Sequence, residues 1–195
     1  MRAGEPVKGE VDLLLASQAV DHFLQACGFA VVDGINDTPM RVAKAYAELL
    51  SGYQVDIKAL LATTFDASYD EVIVLRDVPF VSLCEHHLMT FEGVASVAYV
   101  PPEKGGKVVG LSKLARLVEA HARRLQIQER MTADIAKDLE QHLSAAGVAV
   151  IVQATHSCMT CRGVRKPGAS MVTSSMLGVF RTKPEARAEV LALLR

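Results

Sequence analysis

A chain of 195 residues with a formal net charge of -1 suits one domain with a small appendage. Half of its residues are hydrophobic and 22% are charged, which excludes wholesale disorder. So even a balance of charge supplies no global basic field for nucleic acid, and any anion site must be a local cluster of Arg and Lys. The longest apolar runs, such as Val148 to Val152, are far too short to cross a bilayer. Glu5, Glu10 and Asp12 stand where a signal peptide needs a basic start and a long apolar segment, so the expected location is cytoplasmic. The mean hydropathy of +0.23 is high for a soluble monomer and leaves room for apolar surface buried between subunits. Four cysteines in a chain this long do not make a disulfide framework. In a reducing compartment, clustered cysteines are more often metal ligands or reactive thiols.

In chain order, Leu14, Ala16, Val20, Phe23, Leu24 and Cys27 recur at helical spacing, and Gly28 supplies a stop. Cys27 reads as a small buried hydrophobe. A second helix is expected from an N-cap at Thr38, with Pro39 in the first turn, to Ser51-Gly52. The stretch from Gln54 to Asp70 reads as irregular, with one short helix. Residues 1–68 are therefore expected to form a helical N-terminal arm. Residues 69–195 read as a compact α+β unit. Strands are expected at 71–78, 93–100, 148–155 and 171–180. Helices are expected from a Ser112 cap to Leu125, from Glu129 to Ala146, and from Pro184 onward. Strands, then two helices, then strands favour an antiparallel sheet with a helix pair on one face over a βαβ array.

Two short stretches concentrate the metal-binding residue types. Ser82-Leu83-Cys84-Glu85-His86-His87 puts Cys84 and His87 two residues apart, a spacing that suits two ligands on one turn. Thr155 to Gly163 adds His156, Cys158, Cys161 and Arg162. Three of the six histidines and three of the four cysteines fall in these stretches, which is hard to reconcile with ordinary core or surface positions. Thiolate with imidazole suits zinc better than magnesium or calcium, which prefer oxygen. Two zinc readings compete. Cys84, His87, Cys158 and Cys161 would close a structural site, whereas a catalytic site keeps one position for water. His86, His156 and Arg162 are surplus to a structural site but useful to a hydrolytic one. Zinc lowers the pKa of bound water from ~15.7 to ~7. A neighbouring histidine can shuttle protons, and Arg162 and Arg165 can hold a phosphate.

Three further stretches are weaker alone. Ser112 and Lys113 lie at an expected helix start, which favours an anion, with Arg116 one turn on; a plain cap with solvated basic residues is the commoner case. Glu129 either serves its own helix N-terminus or accepts two hydrogen bonds from a base with adjacent N–H donors. Arg41 and Lys44, three apart, share a helix face that is solvated by default. His22, His121 and His142 are isolated and read as solvated or packed.

Together these stretches resemble the signature segments of the GTP cyclohydrolase I family. The resemblance is carried by Cys84-Glu85-His86-His87, Gly110-Leu111-Ser112-Lys113, Gln128-Glu129-Arg130 and the run from His156 to Gly163. Thr38 to Lys44 and Ser51-Gly52-Tyr53 add to it, and the matching order runs from about residue 11 to the C-terminus. The resemblance implies hydrolysis and rearrangement of GTP to 7,8-dihydroneopterin triphosphate and formate, the entry step to folate and related pterins. It implies the tunnelling fold, pentameric rings stacked into a decamer, and active sites between subunits. It makes Cys84, His87 and Cys158 the zinc ligands, and His86 and His156 the proton-handling histidines. It sets Glu129 on the guanine edge, with Gln128 and the Leu111 backbone beside it. Ser112, Lys113, Arg116 and Arg162 match triphosphate and ribose contacts, with Ser112 also a proton relay. Arg41 and Lys44 match arm residues that reach a phosphate. Cys161 departs from the family pattern and is expected not to ligate. A non-catalytic zinc-stabilised ring protein and a related purine or pterin enzyme on the same fold are the alternatives.

Overall fold

The computed structural model describes residues 11–29, 34–66, 69–102 and 107–194. The first ten residues of the expected arm lie outside that set. Helix α1 (Leu13–Ala26) is capped by Asp12, whose carboxylate accepts from the Leu15 N–H at 2.9 Å. It packs on α2 (Thr38–Leu49), yet none of its residues is buried, and Leu14, Leu15 and Phe23 stand exposed. Cys27 is exposed too, against the expectation that it is buried. Helical spacing says which face is apolar, not whether the same chain covers it. Helix α2 begins at Thr38 itself, with Asp37 at the cap and Pro39 in the first turn.

A 3-10 turn (Ser51–Gln54) and α3 (Ile57–Leu61) then enter the main body, where Leu61 is 1% exposed. Strand β1 (Thr64–Asp66) pairs with β4 (Lys107–Val109) in a small antiparallel ladder. The main sheet holds β2 (Ile73–Cys84), β3 (Thr90–Val100), β6 (Gly147–His156), β7 (Met171–Gly178) and the two-residue β5 (Leu125–Gln126). Their order is β5-β2-β3-β6-β7. All pairings are antiparallel except β5 with β2, which is parallel and covers only Leu83 and Cys84. Strand β2 runs six residues beyond its expected end, through Pro79. Proline is tolerated because β2 is an edge strand there, and a bulge lies just upstream between Leu75 and Val78.

Helices α4 (Leu111–Ala122) and α5 (Gln128–Leu143) cover one face of the sheet. Leu114, Leu117, Val118, Met131, Ile135 and Leu139 are fully buried against Phe91, Val97, Tyr99, Val148 and Val150. Their 3- and 4-residue spacing meets the alternate residues of the strands. Gly110 caps α4, so Ser112 is its second helical residue and not its cap. His121 is packed rather than solvated, with Nε2 2.7 Å from Asp138. The opposite face, through Ala98, Ala149 and Met176, is partly covered by α7 (Val179–Thr182) and α8 (Pro184–Leu193). Gly178 ends β7 and turns the chain into α7. Its φ of 57°, and a backbone oxygen of Ala146 only 2.1 Å from where a Cβ would sit, leave room for glycine alone. Among the described residues no helix is long and apolar enough to cross a membrane.

Candidate metal centre and active site

The C-terminal end of β2 and the C-terminal end of β6 lie at the same end of the sheet, because Phe91 of β3 pairs with His156 while Thr90 pairs with Leu83. Each strand runs on into a tight turn. After β2 the Cys84 carbonyl accepts from the His87 and Leu88 N–H groups, which folds Cys84 and His87 onto one turn. After β6, the short helix α6 (Ser157–Thr160) carries Cys158. The ligand atoms of Cys84, His87 and Cys158 thereby all lie within 4.8 Å of one another. Cys161 caps α6, is exposed, and is not part of this group.

Two sulfurs and one imidazole form a soft donor set of the kind that binds zinc. Burial, and then neighbouring Cys84, push the Cys158 thiol up. A divalent cation bound between the sulfurs would offset that effect and favour the Cys158 thiolate. The residues present therefore fit a metal with three protein ligands and an open position.

The loop that holds Cys84, His86 and His87 is braced from three sides. Leu88, in the left-handed region at φ 55°, has its carbonyl held by the Tyr46 hydroxyl of α2 at 2.8 Å. The Glu85 N–H donates to Gln126 of β5 at 3.0 Å. The Glu85 carboxylate pairs with Arg130 of α5, which also donates to the Gln126 side chain at 3.0 Å and the Leu125 carbonyl at 2.9 Å. His86 points out to solvent, with Nδ1 3.9 Å from the Cys84 sulfur. Arg162 reaches back to the cluster, donating to the Cys158 carbonyl at 3.3 Å and lying 3.5 Å from His87 Nε2.

His156 is the most constrained candidate. Its ring stacks flat on buried Phe91, with centroids 4.6 Å apart and planes 3° from parallel. Its Nε2 lies 2.8 Å from Gln128 Oε1. Burial pulls its imidazole below the ordinary value, and the carboxylate of Glu129 works against that shift. Glu129 itself is exposed in the first turn of α5. Gln128 is 1% exposed and turned inward, with its amide nitrogen donating to the carbonyls of Val152 and Met171 at 3.0 Å each. Sequence reasoning set Gln128 beside the base and gave no role to Phe91, Arg130 or Tyr46. Phe91 and Tyr46 carry no sequence signal for their parts, whereas Arg130, beside Glu129 in the same short segment, does.

Other expected residues lie elsewhere. Val109, just before α4, donates its N–H to the Tyr99 hydroxyl at 3.0 Å. Tyr99 is near the far end of β3, roughly 25 Å along the strand from Phe91 at ~3.3 Å per residue. Leu111, Ser112 and Lys113 start α4 there, with Arg116 midway along it, while the C-terminal end of α4 leads into β5 beside Cys84. Among the described residues no side-chain bond joins them to the Cys–His cluster. Arg116 instead borders a groove of about 390 Å³ with Ser51, Gly52 and Arg123. Arg41 pairs with Asp37 at 3.0 Å on the exposed side of α2, and Lys44 is exposed nearby.

Residues 16–195 match the sequence pattern of the GTP cyclohydrolase I family. The chain belongs to the GTP cyclohydrolase I family. It is 52% identical over 186 residues to a Rhodopirellula baltica protein named GTP cyclohydrolase 1, spanning 95% of this chain and 80% of that relative. A Bacillus subtilis protein of the same name is 51% identical, spanning 93% and 95%. One from Mycobacteroides abscessus is 47% identical, spanning 98% and 94%. Among solved structures, the apo form of the archaeosine synthase QueF-Like aligns with 55% of this chain and 93% of its own. Its TM-score is 0.43 at 18% identity, so the family assignment rests on sequence.

Proposed function

We infer that this chain is a GTP cyclohydrolase, which opens the imidazole ring of GTP and yields 7,8-dihydroneopterin triphosphate and formate. The observation that carries the reading is the open Cys84–His87–Cys158 group with His156 alongside, in a chain that matches the family from residue 16 to its end. Zinc held by these three residues would supply a Lewis acid and a water acidified to near neutrality. His156 hands a proton to N7 of the guanine and makes C8 electrophilic, so that water attacks there. His86, exposed beside the cluster, exchanges protons with bulk water as the formamide is cleaved. Glu129 accepts from the N1 and N2 edge of the base. Lys113, Arg116 and Arg162 hold the triphosphate, with Arg41 and Lys44 reaching it from the arm, and Ser112 relays a proton during ribose opening and ring closure. Held in this way, the remote triphosphate orients the reacting ring.

The α4 N-terminus starts near Tyr99, toward the opposite end of the sheet from the Cys–His cluster, which supports sites built between subunits. Two free sheet edges support the ring. The outer side of β2 over residues 73–82 and the outer side of β7 lack strand partners among the described residues. Such edges invite pairing with another copy. We therefore propose the tunnelling fold, closed by edge pairing into pentamers that stack as a decamer. Bare apolar α1 belongs to the proposed arm of residues 1–68, set against a catalytic domain of residues 69–195, although residues 57–66 pack with that domain. A cytoplasmic location fits free, unpaired cysteines.

The test is incubation of zinc-loaded protein with GTP, reading formate and the fluorescence of the oxidised pterin. Stoichiometric zinc without either product would overturn the reading.

A further inference from the structure

The hydrogens around Gln128 can be assigned one by one. The Thr132 hydroxyl donates to the Gln128 backbone carbonyl at 2.7 Å. Its oxygen must then accept from the Thr173 hydroxyl, 2.7 Å away. With its hydrogen so used, Thr173 presents only lone pairs to the Gln128 amide nitrogen at 3.2 Å. That nitrogen also faces the carbonyls of Val152 and Met171. Three acceptors surround it, so the amide cannot be flipped without setting oxygen against oxygen in a buried site. Its oxygen is therefore the atom that meets His156, and an amide oxygen only accepts. His156 Nε2 must be the donor in this bond of 2.8 Å.

We infer that Gln128 is a positioning residue that fixes His156 as the Nε2–H tautomer and so presents Nδ1 to the substrate. The second ring nitrogen makes no hydrogen bond among the described residues and is not among the buried atoms that lack a partner. Stacking on Phe91 holds the ring plane, and turning the ring over would set Cε1 instead of Nε2 against the Gln128 oxygen. This rests on the proton-handling role proposed for His156. In that role Nδ1 first takes a proton from water, and the resulting imidazolium passes it on: the bond broken is N–H at Nδ1, whose electron pair stays on the ring. The bond formed is N–H on the base nitrogen. The Nε2 proton stays on His156, hydrogen-bonded to the Gln128 oxygen, throughout. Gln128, 1% exposed and with its amide nitrogen turned inward, acts through His156. A second partner on one ring nitrogen is the usual way an enzyme selects which nitrogen does the chemistry.

Neutron diffraction from zinc-loaded, deuterium-exchanged crystals reads the tautomer directly. Deuterium on His156 Nε2, aimed at Gln128 Oε1, is expected; a bare Nε2 with deuterium on Nδ1 would overturn the inference. Gln128→Met keeps the side-chain length and removes the acceptor. Its kcat should fall about tenfold or more, within the range for a misdirected acid–base group, with zinc content and KM for GTP nearly unchanged. Thr173→Val leaves the amide held by two carbonyls and should keep kcat near the parent value. An unchanged kcat in Gln128→Met sinks the proposal. The diffraction result on the parent protein stands even if that variant folds poorly. Full activity in His156→Asn would instead remove the catalytic role of His156 and leave the tautomer assignment untouched.

Discussion

Replacing Arg130 by Met should loosen the metal-binding loop without touching a ligand. The guanidinium makes three hydrogen bonds, to Glu85, the Gln126 side chain and the Leu125 carbonyl. Glu85 and Arg130 are each about a quarter exposed, at 26% and 22%. The two bonds to neutral acceptors contribute about 1 kcal/mol each, and the charged one about 1.5–3 kcal/mol before discounting for solvent. A net loss of about 3 kcal/mol is expected in urea unfolding of the zinc-loaded protein, with weaker zinc retention. Much of that is the cost of leaving acceptors unpaired, so the informative quantity is the coupling. A cycle through Arg130→Met, Glu85→Gln and the double variant should give about 1–2 kcal/mol between the two residues. Zinc retention should fall as much in Glu85→Gln as in Arg130→Met, since both release the same loop. A coupling near zero, or weaker zinc binding in one variant alone, would refute the view that this pair braces Cys84, His86 and His87.

Two other outcomes bear on the metal and the assembly. Cys158→Ser should lose zinc and turnover together, while Cys161→Ser should keep both, as measured by metal analysis and product formation; equal zinc loss in the two would make Cys161 a ligand and the site a closed one. Lys113→Ala and Cys158→Ser should each be inactive alone, yet regain activity when unfolded and reassembled together. A site drawing on two chains would then be intact in roughly one case in four. Failure of mixed assemblies that demonstrably contain both chains would argue that each chain supplies its own triphosphate contacts.

The amphipathic helices and the main strands were legible because their periodicity is a local property. Leu114, Leu117, Val118 and His121 recur on one face of α4 whatever lies opposite. Where reading failed, a non-local neighbour decided the outcome. Pro79 ends a strand in isolation, yet β2 continues through it because its outer edge is open. Leu125 falls at the end of a helix by its spacing, but it pairs with Leu83 as a strand. Cys27 has the spacing of a buried residue, yet it stands exposed at the end of a helix none of whose residues is buried.

The sequence by itself determined the chemistry available. Cys84 and His87 two residues apart, and Cys158 beside His156, carry donor types that only a soft metal and a proton acceptor would use. Order along the chain then tied those segments to one family. Tertiary structure alone decided which groups meet. The pairing of β3 with β2 and β6 brings two cysteines 74 positions apart into one cluster with His87 and leaves Cys161 outside it. The same sheet separates Ser112 and Lys113 from that cluster by most of its length, and it turns Gln128 toward His156. Sequence distance carries no information about such contacts, because a hydrogen bond or a metal site depends on ångström-scale placement that only the packed sheet and helices provide.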